Sequence, residues 1–139
     1  METDFRGLVA RILRLEYKQV LDLGPVPACV LKHWRDVQSD RVVLIGERYL
    51  HILDRHPEIG GREEQVIRTA LDPDRVQENR SDPRVAILYR MFEDGSCLRI
   101  SMWITDETRF QNSIHSARLV REREVLLGVT QNREIWRKD

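Results

Sequence analysis

Val85-Ala-Ile-Leu-Tyr-Arg-Met-Phe-Glu-Asp-Gly-Ser-Cys-Leu-Arg-Ile-Ser-Met-Trp-Ile104 reads as two strands and the turn that joins them. Val85, Ile87 and Tyr89 alternate with Ala86, Leu88 and Arg90, which is the period of a pleated strand. Glu93-Asp-Gly-Ser96 interrupts the alternation with a hairpin signal, because Asp-Gly tolerates the positive φ of a tight turn. Leu98, Ile100, Met102 and Ile104 carry the same period back. After the polar loop Thr105–Arg109 a third alternating run extends from Asn112 to Val120. It sets Ile114, Ser116 and Arg118 on one face and Ser113, His115, Ala117 and Leu119 on the other. Ile135 and Trp136 suit a short end strand. Three neighbouring runs with short connections predict an antiparallel meander.

Upstream of Pro83 the pattern is helical. Residues 4–22 place Phe5, Leu8, Val9, Ile12, Leu13 and Val20 on one arc and Arg11, Arg14 and Lys18 on the other. Thr3 is a candidate cap, and Gly24-Pro-Val-Pro27 is a stop. A short helix follows around 28–37. Arg41-Val-Val-Leu-Ile45 is a buried strand by composition. Helices then run from about Glu47 to Arg55, limited by Pro57, and over 62–71, ended by Asp72-Pro-Asp74. The order predicts an α+β domain, with N-terminal helices packed on a mostly antiparallel sheet of four to five strands. Residues 1–40 form a helical extension and residues 41–139 the α+β domain.

The 139 residues suit one domain with an adequate core. Cys29 and Cys97 make neither a disulfide framework nor a metal-ligand pattern. No apolar run nears a membrane span, and the acidic start Met1-Glu-Thr-Asp does not resemble a secretory leader. A cytoplasmic protein without membrane association is expected. The 23 basic and 23 acidic side chains balance, which argues against a dedicated polyanion-binding surface. Only Lys18, Lys32 and Lys138 are lysines, so the cations are almost all planar arginine forks suited to phosphate or carboxylate. Residues 109–139 lean basic, with seven cations against four anions.

Chemistry concentrates in the helix after Ile45. Helical spacing puts Arg48, His51 and Arg55 on one face, an arrangement suited to a phosphate. Like charge would lower the histidine pKa and favour a neutral base. The competing reading is a solvated face in which Glu47 and Asp54 neutralise the arginines. His56, just before Pro57, is placed to cap the helix end. His51, His56 and His115 do not make a zinc site: residues five apart lie about 140° apart on a helix, and no fourth ligand has recognisable spacing. Ser116 and Arg118 on the third strand are a second phosphate candidate, whereas His115 beside Ala117 and Leu119 reads as a core or rim histidine. There is no Gly-rich phosphate loop, nucleophile elbow or HExxH. No cofactor is implied.

Several segments together resemble a known family. His51-Ile-Leu-Asp-Arg-His-Pro-Glu58 is similar to a HIxxRHPE helix, and Ala70-Leu-Asp-Pro-Asp-Arg-Val76 to the segment that follows it. Ile87-Leu-Tyr-Arg90 is similar to an LYYR strand, Ile114-His-Ser-Ala-Arg118 to a vvTAY strand, and Ile135-Trp136 to a common ending. Over residues 41–136 the chain resembles bacterial and phage-associated domains of the barnase–EndoU–colicin–RelE-like nuclease superfamily. The resemblance implies metal-independent RNA cleavage by general acid–base catalysis, as in a toxin or phage-associated effector. It makes His51 and His56 catalytic and Arg48, Arg55, Ser116 and Arg118 substrate-binding. Ser116 stands where the family usually has threonine, and Arg118 where it often has an aromatic residue. RNA is the candidate partner, with an inhibitor protein or a second copy docking through the N-terminal helix as others. A non-catalytic interaction module and a binder of small anions are the alternatives.

Overall fold

The computed structural model of the protein describes residues 3–139. Along the chain run α1 (Phe5–Leu13), β1 (Val20–Pro25), α2 (Ala28–His33), β2 (Arg41–Ile45), α3 (Gly46–Arg55) and a 3₁₀ turn (Pro57–Ile59). They are followed by α4 (Glu63–Leu71), β3 (Arg75–Glu78), β4 (Val85–Met91), β5 (Cys97–Trp103), β6 (Asn112–Val120), α5 (Glu122–Gln131) and β7 (Arg133–Arg137). The fold is α+β. The strands form one sheet in the order β1–β2–β6–β5–β4–β3–β7. All neighbours are antiparallel except β2 and β6.

The central hairpin has the register its alternation demands, from Val85 opposite Trp103 to Met91 opposite Cys97, with Gly95 at φ +86° in the turn. The expected four to five strands become seven. Two of the extra strands lie where the apolar pattern is short or mixed. Residues 1–40 are also not a purely helical extension. α1 stops at Leu13, and Val20, which falls on the helical arc, instead pairs with Ile45 at the start of β1. The polar stretch Arg14–Gln19 offers no apolar stripe to continue the helix, whereas β2 offers a buried strand to pair with. The cap of α1 is Asp4, not Thr3: its carboxylate accepts from the Gly7 amide at 3.0 Å. β3 is only four residues long, and α5 falls in a stretch with no clear sequence signal.

The sheet has two unlike faces. On one, Val42, Leu44, Leu88, Leu98, Ile100, Met102, Ile114 and Ala117 pack against Ile12 of α1, Ile52 of α3 and Val66, Ile67 and Ala70 of α4. On the other, a smaller cluster of Ile87, Tyr89, Cys97 and Val120 is covered by Val125 of α5. Beyond α5 this face opens into a cleft of about 510 Å³ between Val43, Ile45, Trp103 and Ser113 of the sheet and the loop carrying Phe110. Among the described residues no helix is long and apolar enough to cross a membrane.

Candidate active site

α3 leaves β2 without a connecting loop, so its first amides need partners from elsewhere. The turn before β1 supplies them. The Gly46 amide donates to the Gln19 carbonyl at 2.9 Å, and the Glu47 amide to the Tyr17 carbonyl at 2.8 Å. A side chain at Gly46 would run into the Glu16 carbonyl oxygen. At the far end the His56 amide donates to the Ile52 carbonyl at 2.7 Å, and the His56 carbonyl accepts from the Ile59 amide at 3.0 Å. Tyr49 and Ile52 fasten the helix to the core, and Arg48, His51 and Arg55 lie on its flank. Arg48 is half-buried; His51 and Arg55 are exposed.

β6 carries an irregularity where it passes α3. Ser101 pairs with Ser116, but Met102 pairs with Ile114, which leaves His115 as the extra residue of a bulge. Strict alternation sets Ile114 apart from Ala117, yet both are buried in the same core. The bulge releases His115 from the expected core or rim position and exposes it. Partial desolvation lowers the His115 pKa below the ordinary 6.5, and the charges of Arg48 and His51 lower it further, with Asp82 opposing. His115, His51 and Arg48 therefore share one electrostatic environment.

The remaining candidates are held elsewhere. His56 is half-buried at the end of α3, with Nδ1 3.4 Å from Glu58 Oε1. Its backbone caps α3 and opens the 3₁₀ turn, but its side chain makes no capping hydrogen bond and faces Glu58 instead. Ser116 shares a hydrogen bond with Ser101 across the strands. Arg118 donates to Glu124 of α5 at 3.0 Å. The site thus brings together Arg48 and His51, keeps Arg55 on the same helix flank, and adds His115. Ser116 and Arg118 are engaged instead with Ser101 and Glu124. No sequence signal marks the bulge, because one inserted residue leaves composition and average period nearly unchanged.

Among the described residues no group of three or more His, Cys, Asp or Glu side chains is arranged to hold a metal ion. Comparison with family models, with curated proteins and with solved structures yields no match.

Proposed function

We propose that the protein is a small nuclease-like domain that cleaves RNA, acting in the cytoplasm, with His115 and His51 as its acid–base pair and Arg48 as the neighbouring cation. The observation that carries this reading is the β6 bulge that exposes His115 where β6 packs on α3, the helix whose flank carries Arg48 and His51 one turn apart; both charges act to lower the His115 pKa. The lowered pKa suits His115 to the base role, since a neutral imidazole is needed at neutral pH. His115 would take the proton of a ribose 2′-hydroxyl. The 2′-oxygen attacks the adjacent phosphorus, the P–O5′ bond breaks, and His51 in its protonated form gives a proton to the departing 5′-oxygen. The products are a 2′,3′-cyclic phosphate and a 5′-hydroxyl. Arg48 offsets the charge that builds on the non-bridging oxygens, and Arg55 extends the positive flank along the helix. In this reading His56, which the resemblance makes catalytic, only ends the helix, its amide donating to the Ile52 carbonyl.

The test is incubation of purified protein with total RNA in the presence of EDTA, beside His51→Ala and His115→Ala. Removing either acid–base group should slow cleavage by about a hundredfold or more. The exposed positions of both histidines make the variants compatible with folding. No cleavage by the wild type would overturn the proposal and favour a non-catalytic module, and equal cleavage by all three proteins would overturn the assignment of His51 and His115.

A further inference from the structure

Arg99 and Arg118 stand directly opposite each other on β5 and β6. Like charges at directly opposed sheet positions repel, so such a pair needs compensation. α5 compensates only half of it. Arg118 is bridged to Glu124, whereas among the described residues no carboxylate pairs with Arg99. Both arginines are half-buried and line a cleft of about 200 Å³ between the sheet and α5. The charged groups of the cleft are these two arginines and Glu124, which leaves one positive charge uncompensated.

The far wall of the cleft is fixed. Gly128 lets α5 approach the sheet so closely that a Cβ there would lie 2.5 Å from Gln77 Oε1 and 3.0 Å from the Tyr89 hydroxyl. Asn132 donates to the same Gln77 oxygen at 3.3 Å, and Tyr89 donates to it at 3.4 Å. These bonds hold the helix, and hence Glu124, at a set distance from the arginines. Desolvation opposes the charge of Glu124, but the hydrogen bond from Arg118, the Arg121 amide and the charges of Arg118 and Arg121 outweigh it and keep the carboxyl below its ordinary range. With the glutamate ionised, two arginines against one carboxylate leave the cleft net positive.

We propose that this cleft binds a phosphate group, with Arg99 as the unneutralised anchor and Arg118, shared with Glu124, as the second fork. A guanidinium matches a tetrahedral oxyanion with paired N–H donors, which suits two opposed arginines better than a point charge would. The phosphate is either free, as inorganic phosphate or a phosphomonoester, or part of a nucleic-acid backbone. The site uses neither His51 nor His115, so it stands or falls separately from RNA cleavage.

The test is a titration of protein labelled with ¹⁵N at the arginine side chains, followed at the Nε–H signals of Arg99 and Arg118. One arm uses inorganic phosphate against chloride at matched ionic strength. The other uses a single-stranded 2′-deoxy oligonucleotide, which lacks the hydroxyl that cleavage requires. Saturation by inorganic phosphate assigns the site to free phosphate or phosphomonoesters; saturation by the oligonucleotide alone assigns it to backbone phosphate. Arg99→Gln should weaken binding about tenfold or more, the loss of one charge-assisted hydrogen bond. Glu124→Gln should tighten it, since Arg118 is then free for the ligand. Linear, unsaturated shifts with both probes overturn the proposal. So does wild-type affinity in Glu124→Gln, whose half-buried position on the rim of α5 takes a near-isosteric side chain and keeps the test valid even where Arg99→Gln fails to fold.

Discussion

The Tyr49 hydroxyl donates a hydrogen bond to the Glu63 carboxylate at 3.2 Å, inside the core where α3 meets α4. The same Glu63 oxygen accepts the Gly61 amide at 2.8 Å. Burial, and then the neighbouring carboxylate, raise the Tyr49 pKa well above its ordinary value, so the phenol remains a donor. This bond ties the helix that carries Arg48 and His51 to the rest of the fold. Tyr49→Phe keeps the ring but leaves Glu63 with one protein partner fewer. The loss should destabilise the protein by about 1–3 kcal/mol, read as a lower urea midpoint with an unchanged slope. An unaltered midpoint would show that the bond is replaced by water at no cost.

Gly46→Ala sets two effects of opposite sign against each other. In an exposed helix, alanine in place of glycine gains about 1 kcal/mol. Here the new methyl group would strike the Glu16 carbonyl oxygen, within the turn that supplies the first acceptors of α3. A clash with backbone has no side-chain rotamer to relieve it, and overpacking of this kind costs about 1–3 kcal/mol or more. The clash should win. The expected result is a lower melting temperature and faster hydrogen exchange at the amides of Gly46 (alanine in the variant) and Glu47. A higher melting temperature would mean that the turn moves aside freely.

How far the sequence reveals this arrangement varies from element to element. The β4–β5 hairpin was legible because alternation and Asp94-Gly95 agree, and local and global preferences point the same way. α3 was legible because Ile45 ends a strand and Pro57 blocks a longer helix. β1 was not, because Val20 satisfies both a helical arc and a strand, and only its pairing with Ile45 decides. α5 lacks a strong apolar stripe, since it covers the sheet with little more than Val125 and Gly128. In the candidate site, the Arg48–His51–Arg55 flank followed from helical spacing alone. His115 did not, because its exposure depends on a bulge, and Arg99 did not, because opposition across strands depends on register.

Cys97 should be chemically inert in the folded protein. It is buried on the α5 side of the sheet, and desolvation, followed by the charges of Asp74 and Glu122, pushes its thiol up to about 11. The thiolate is the reactive form, so little of it exists at neutral pH even where reagent gains access. Cys29 is half-buried with a smaller upward displacement, again led by desolvation. Labelling with an aromatic disulfide at pH 7 should therefore modify Cys29 first and Cys97 only at the rate of unfolding. Rapid modification of both would show that α5 opens from the sheet in the native state.

His115 links the candidate site to pH in a way that fixes the sign of the effect. Its folded-state pKa lies below the ordinary 6.5. The unfolded chain therefore binds its proton at a higher pH than the folded chain does. Above the unfolded value both states are neutral and the residue carries no penalty. As pH falls from there through the folded pKa, the unfolded state gains protons first and stability declines. His115→Gln should remove this slope, so the difference in urea midpoint between variant and wild type should change in the variant's favour on going from pH 7.5 to pH 5. Desolvation is the leading cause and Arg48 the second, so Arg48→Gln should move the His115 titration only part of the way back toward 6.5. An NMR titration of the ring protons reads this directly. Complete recovery in Arg48→Gln would make the arginine the dominant cause. No movement at all would separate Arg48 from His115 and remove the shared environment on which the acid–base assignment depends.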